Sequence, residues 1–275
     1  KGTYPRVLQD ERYGEAARSL FADAEVMLAD MVRDKWLTAK GVIGLWRAQS
    51  DGDDIVLYDG HGAEVSRLHT LRQQIARAGK RANVAMADFV APIGGPEDFI
   101  GGFCVTAGLG EEEVAARFDK AGDDYGKILS QSLSDRLAEA FAEYAHMLIR
   151  RELWGYAADE TLTPDQMIAE DYAGIRPAPG YPAQPDHTEK RTLFQLLEAP
   201  ERTGVNLTES CAMWPASSVS GLYFSHPDSF YFGVGKIERD QVEDYARRKG
   251  WEVAEAERWL APILNYVPSP LLEAA

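Results

Sequence analysis

Cysteine, histidine and positive charge are scarce in this 275-residue chain. The two cysteines, Cys104 and Cys211, lie far apart and no CxxC occurs. That argues against a disulfide framework and a thiolate zinc site, and fits a reducing cytoplasm. Of the five histidines, neither His61 with His69 nor His187 beside Asp186 has metal-ligand spacing, so no metal is expected. Lysine and arginine number 29 against 44 acidic residues, a net charge of −15. A general nucleic-acid binder needs the reverse balance, and so does a protein that coats anionic membranes. A local basic patch for an acidic partner stays open. No apolar run reaches the ~20 residues of a membrane span. Gly101-Gly102 and Gly108-Leu109-Gly110 do not open a helix after a strand, so a dinucleotide fingerprint is missing. Ser220 or Ser225 with His226 and Asp228 lack a G-x-S-x-G elbow and read as a hairpin turn. The acidic turn Ser50-Asp51-Gly52-Asp53 lacks EF-hand spacing. The start, Lys1-Gly2-Thr3-Tyr4, has neither an initiator Met nor a signal-peptide core, and the expectation is a fragment of a longer chain.

What is present is ordinary globular composition, 45% hydrophobic and 27% charged, with ample length for a core. Apolar residues at helical spacing predict a helix over 11–35. Val42 to Trp46 and Asp54 to Tyr58 predict a hairpin through Asp51-Gly52. A short helix is expected from His69 to Ile75, ending at Gly79, and a strand from Ala85 to Pro92. Phe99 to Ala107 reads as a further strand, weakened at Gly101-Gly102. Helices follow over 111–120 and 124–153. The longer one carries an apolar face of Leu133, Leu137, Ala140, Phe141, Tyr144 and Leu148, with Asp135 and Glu139 as neighbours on the other side. Those two carboxylates read as a solvated face or as a pair aimed at a cation or partner. Thr163-Pro164-Asp165-Gln166 opens a helix with a capping box, expected to stop at Gly174. A helix over Arg191 to Glu198 comes next. Two aromatic runs, 212–224 and 230–235, predict a hairpin through His226-Pro227-Asp228. Asp240-Gln241-Val242-Glu243 reads as a second capping box, for a helix ending at Gly250, and a last helix covers Val253 to Leu260. Strands in hairpin pairs rather than βαβ units mean α+β, an antiparallel sheet flanked by helices.

The stretch from Gly174 to His187 organises the rest. Five prolines and glycines lie within the nine residues Pro177 to Pro185, which forbids a helix and extends the backbone. Donors must come from Arg176, Ala178, Gly180, Tyr181 and Ala183. One guanidinium and one phenol on a rigid strip suit a small zwitterionic ligand. From these residues alone a plain linker is the favoured reading, since proline-rich connections are usually only connections.

The run Gly174-Ile175-Arg176-Pro177-Ala178-Pro179-Gly180-Tyr181-Pro182, followed by Asp186-His187-Thr188-Glu189-Lys190, resembles the C-terminal activation domain of cobalamin-dependent methionine synthase. Arg176, Gly180 and Tyr181 match that family's R-x-x-x-G-Y motif. Ala87 to Pro92, Ser134 to Tyr144, Ser220 to Ser229 and Asp240 to Gly250 resemble it in the same order. The resemblance implies one C-shaped α+β domain over 1–275 around a twisted antiparallel sheet. It implies S-adenosylmethionine bound by Arg176, Ala178, Gly180, Tyr181, Tyr231, Phe232 and Glu170, with Tyr181 near the reacting methyl. Asp135 and Glu139 match acidic positions at the sulfonium or the cobalamin-domain interface. Cobalamin is implied in a neighbouring domain and zinc in a distant module. Implied partners are that cobalamin-binding domain and flavodoxin or an equivalent reductase. The family's further acidic ligand contact would lie upstream of Lys1. A docking module without ligand chemistry, and an autonomous methyltransferase of another class, are the rival readings; the missing glycine-rich nucleotide loop speaks against the latter.

Overall fold

The computed structural model describes residues 4–75 and 82–268. A long first helix, α1 (Gly14–Arg33), precedes a five-stranded sheet. Asp10 starts α1, its carboxylate accepting the N–H groups of Arg12 and Tyr13 at 2.9 and 2.8 Å. The first two strands, β1 (Thr38–Asp51) and β2 (Asp54–Tyr58), form the expected hairpin, with Asp51 opposite Asp54 and Gly52 at φ +61°. β3 (Glu64–His69) then pairs with β2. Its half-polar sequence hid it, and it corrects the helix expected from His69. His69 closes the strand, and residues 70–75 are not helical. Their polar groups are held at a distance instead. The Thr70 N–H and hydroxyl donate to the Asp53 carbonyl at 3.1 and 2.6 Å, and the Gln73 N–H donates to Val84 at 3.0 Å. Gly79 lies outside the described residues.

The apolar run at Ala85 is not a strand. Met86–Phe89 make one 3₁₀ turn, because Asp88 accepts the Ala85 N–H at 3.0 Å and closes the turn. The same carboxylate receives the Arg72 fork. Every apolar side chain of the turn is buried.

β4 (Asp98–Leu109) is an interior strand, between β1 and the later β7. Gly101 and Gly102 do not weaken it. A Cβ at Gly102 would meet the Leu193 side chain at 2.7 Å, so glycine there admits close helix packing. α2 (Glu111–Ala121) and α3 (Asp124–Leu148) follow, and a π-turn continues α3 over Ile149–Leu153. The buried stripe of α3 is Ala138, Ala142 and Ala145, continuing to Ile149, and Tyr144 is exposed. That corrects the expected face at Ala140 and Tyr144, which are exposed, whereas Leu133 and Leu137 are half-buried and Phe141 packs at the margin of this core. The sheet face below carries Phe103 and Tyr223, and small side chains let the helix approach those rings.

α4 (Pro164–Ile168) has the expected Thr163 capping box but is only five residues long. It ends well before Gly174. α5 (Glu189–Leu197) and α6 (Ala199–Thr203) cover the opposite sheet face, where Leu193 and Leu197 pack with Ile100, Cys104 and Leu222. A short pair, β5 (Asn206–Leu207) and β6 (Met213–Trp214), leads to β7 (Ser218–Tyr223). The main sheet runs β3-β2-β1-β4-β7, antiparallel throughout. The fold is α+β.

Residues 230–235 form no strand and do not return along β7. The outer edge of β7 is already taken by the proline-rich strip. α7 (Arg239–Lys249) starts from Glu238, so the capping box expected at Asp240 does not form. It ends at Gly250 with φ +67° as expected, and α8 (Val253–Trp259) is followed by a 3₁₀ turn at Ala261–Ile263.

Candidate functional site

The strip behaves as a sixth, irregular edge of the sheet. Ile175 and Phe224 exchange both main-chain bonds at 3.0 Å, and the Pro177 carbonyl accepts the Leu222 N–H at 2.8 Å. Strand alternation then turns the main chain of Arg176 and Ala178 away from β7. The Arg176 N–H donates to the Tyr231 hydroxyl at 3.0 Å. The Ala178 N–H comes next on the same edge and meets no acceptor among the described residues. Gly180 and Tyr181 differ from that expectation of free donors. The Gly180 N–H donates to Gln184 at 2.7 Å and the Tyr181 N–H to Ala178 at 3.2 Å, so both donors are spent in a turn. Gly180 has φ +95°, and a Cβ there would collide with the His187 ring, so the turn needs glycine. The Pro182 carbonyl accepts the Val234 N–H at 2.8 Å, which brings residues 231–234 against the strip.

The Arg176 guanidinium is largely buried. Its Nη2 bonds Glu143 Oε2 at 2.5 Å, and Nη1 donates to the Tyr172 hydroxyl at 2.7 Å and to His146 Nδ1 at 3.3 Å. Three of the five guanidinium N–H donors are thus engaged, and two are left. An arginine only donates, so His146 Nδ1 is the acceptor and the proton sits on Nε2, facing the Tyr156 hydroxyl at 3.5 Å. Burial, and then the charges of Arg150 and Arg176, push the His146 imidazole down to about 2, so it is neutral. Its ring stacks on Tyr223 at 5.0 Å and meets Tyr172 edge-on at 4.9 Å. Arg150, fully buried, holds Glu160 in a fork and lies 3.8 Å over the Tyr172 ring. Burial raises the Tyr172, Tyr223 and Tyr231 phenols, so all three stay protonated donors.

Of this network, Arg176 and Tyr231 line a cavity of about 580 Å³. Glu139 from α3, Glu170, Arg176, Ala178, Tyr181, Tyr231 and Phe232 all line it. Glu170 sits at φ +57°, two residues past the end of α4, rather than inside a helix. Tyr181 is 63% exposed at the mouth, whereas Phe232 is buried against Phe89. Asp135 is not brought into the cavity. It pairs with Arg136 and borders a separate groove with Glu111 and Trp214. Spacing of four made it a neighbour of Glu139 along α3, yet of the two only Glu139 lines the cavity. Gly180 lies behind the cavity wall, in a second hollow with His187 and Trp259. Sequence reasoning missed Glu143, His146, Tyr172, Lys190 and Ser220. The signal for two of them was legible, since Glu139, Glu143 and His146 recur at i, i+4 and i+7, one stripe of α3. No helix among the described residues is long and apolar enough to cross a membrane.

The model of the vitamin B12 dependent methionine synthase activation domain matches residues 1–250. The chain belongs to this family. It is also similar to a solved structure, the MetH reactivation domain bound to AdoHcy. The two are 54% identical with a TM-score of 0.93, over 97% of this chain and 83% of that one. In this activation domain, then, the strip is more than a connection. It forms one wall of the cavity and stitches β7 to residues 231–234. The enzyme that gives this family its name, methionine synthase, is a methyltransferase.

Proposed function

We propose that this activation domain binds S-adenosylmethionine in the cavity beside Arg176 and serves the reductive methylation of cobalamin in methionine synthase, as one unit of a longer chain. The carrying observation is the guanidinium with two unused donors at the wall of a cavity that also holds Glu139 and Glu170. The 54% identical MetH reactivation domain, which is bound to AdoHcy, supports it.

The roles follow from chemistry. Arg176, fixed by Glu143, Tyr172 and His146, offers its two remaining N–H groups to the ligand's carboxylate. Fixing it beforehand lowers the entropy lost on binding. The Ala178 N–H adds a main-chain donor. Glu139 and Glu170 place negative charge near the ligand's ammonium and sulfonium. Tyr231 and Phe232 present aromatic faces to the adenine. Tyr181 at the mouth faces the reacting methyl and shields it from solvent. Gly180 shapes the turn that carries Tyr181. Cobalamin, held by the neighbouring domain, supplies the nucleophile that takes the methyl once an electron from flavodoxin or an equivalent reductase has reduced it. Asp135, outside the cavity, belongs to the face that docks that domain. The setting is the cytoplasm.

Calorimetry with S-adenosylmethionine tests the reading. The chain binds, and Arg176→Ala weakens binding by roughly 100-fold, the scale of a lost charge-assisted pair. Equal affinity overturns the role of Arg176. Absence of binding, even with the chain extended upstream of Lys1, overturns the ligand assignment.

A further inference from the structure

The polar stripe of α3 does not end at the cavity. Glu139, Glu143 and His146 continue into the π-turn as Arg150, four residues further on. The π-turn closes with the Trp154 N–H donating to the Ile149 carbonyl at 3.0 Å, a widening of the helix that is frequent at functional sites. Arg150 is not among the residues that line the cavity, and none of its surface is exposed. Its Nε and Nη2 hold the two Glu160 carboxylate oxygens, each at 2.8 Å. Its Nη1 is buried and meets no partner among the described residues. A buried ion pair is a weak source of stability, since apolar side chains of like volume often serve as well. A donor left unmet weakens that source further. The pair needs another reason, and the Tyr172 ring supplies one.

Residues 169–174, between α4 and the strip, are neither helix nor strand. Side chains hold them instead. The Arg150 guanidinium lies 3.8 Å over the Tyr172 ring, and the Tyr156 hydroxyl donates to the Ala173 carbonyl at 3.4 Å. A planar cation fixed by a fork is suited to an aromatic face. The far end of Tyr172 is its hydroxyl, which accepts Arg176 Nη1 at 2.7 Å. His146 meets the same ring edge-on at 4.9 Å and accepts Arg176 Nη1 at 3.3 Å. Burial, and then the Arg150 and Arg176 charges, keep His146 neutral, so its Nδ1 stays an acceptor. Both groups that hold Nη1 therefore depend on Arg150.

We propose that Arg150, clamped by Glu160, is a positioning residue for Arg176, acting through the Tyr172 ring and the His146 imidazole. The role rests on the S-adenosylmethionine reading above, in which Arg176 takes the ligand's carboxylate. Arg150 itself touches no ligand. Without the stack, Tyr172 stands on an irregular segment and its hydroxyl is no longer held in one place. Arg176 then loses the direction of its two spare donors, and a guanidinium binds a carboxylate well only in the right orientation.

The probes are S-adenosylhomocysteine and 5′-methylthioadenosine, which keeps the nucleoside thioether but lacks the carboxylate and the ammonium. Calorimetry on the whole chain compares wild type, Arg150→Lys, Arg176→Ala and the variant with both changes, each checked for folding by thermal unfolding. Arg150→Lys keeps the charge but loses the fork and the planar stack. It binds S-adenosylhomocysteine about tenfold more weakly, while 5′-methylthioadenosine stays within about twofold of wild type. Once Arg176→Ala is in place, adding Arg150→Lys weakens S-adenosylhomocysteine by less than about twofold, because the residue acts through Arg176. A merely structural role gives equal losses for both ligands, or a full additional loss in the double variant, and either result overturns the proposal. Unchanged S-adenosylhomocysteine affinity in Arg150→Lys, with Arg176→Ala weakened, overturns the positioning role alone. Should Arg150→Lys fail to fold, Arg150→Met with Glu160→Leu, which strands no buried charge, decides with the same ligands. No binding of either ligand by wild type overturns the S-adenosylmethionine reading itself, and this role with it.

Discussion

Two charged clusters flank the same proline-rich stretch, and they are built to opposite ends. At Lys249 every donor is engaged. Its ammonium donates to Asp186, Thr188 and Glu189 at 2.6, 2.7 and 2.7 Å. Asp186 also accepts the Tyr245 hydroxyl at 2.7 Å, and the whole group is closed to solvent. At Arg176 three donors are engaged and two remain, beside an open cavity. The first cluster ties α7 to the start of α5 and has nothing left to bind with. The second is held just as firmly yet keeps spare valence. Saturation, rather than charge or burial, separates a structural staple from a binding site.

The largest test of this contrast is Lys249→Met. It strands two buried carboxylates, and urea denaturation should report a loss of about 3–5 kcal/mol. Ligand affinity of the folded fraction should stay within twofold; a stability loss below about 1 kcal/mol would mean that the cluster is not a staple. Next comes the pH dependence carried by His146. Its folded value, about 2, lies below the ordinary ~6.5, so between those values the unfolded chain binds the extra proton. The stability is therefore complete above the unfolded value and falls as pH drops below it, by at most about 1.4 kcal/mol per pH unit. His146→Gln should remove that slope between about pH 6.5 and 4.5, and identical slopes in variant and wild type would assign the proton elsewhere. Smaller still is Tyr231→Phe. It keeps the ring but removes the acceptor of the Arg176 N–H, and chemical denaturation should show a loss of about 1 kcal/mol. The smallest effect belongs to Asp135→Asn. S-adenosylmethionine affinity should not change, since Asp135 lies outside the cavity. A drop comparable to that of Arg176→Ala would erase the boundary drawn between the two acidic residues of α3.

Several elements were legible because their causes are local. The β1–β2 hairpin follows from Asp51-Gly52, the start of α4 from Thr163 and Gln166, and the end of α7 from Gly250. The misses share a different cause. At 70–75 the chain is held by bonds to Asp53 and Val84, and at 85–90 the local Asp88–Ala85 bond that makes the turn is joined by the distant Arg72, which the apolar pattern does not announce. The expected hairpin at 230–235 failed for the same reason, because residues 175–177 reach the edge of β7 first.

Sequence alone determined the rigid strip, since two prolines and a glycine between Arg176 and Tyr181 permit only an extended run and a turn. It also carried the family resemblance, because a motif is a property of order. Tertiary structure decided which polar groups are spent and which are free. The N–H groups of Gly180 and Tyr181 close a turn, that of Ala178 stays open, and Glu143 and His146 from another element hold Arg176 in place. Whether a donor is available depends on what the folded chain brings within about 3 Å of it, and for Arg176 three of those partners, Glu143, His146 and Tyr231, lie 30 or more positions away.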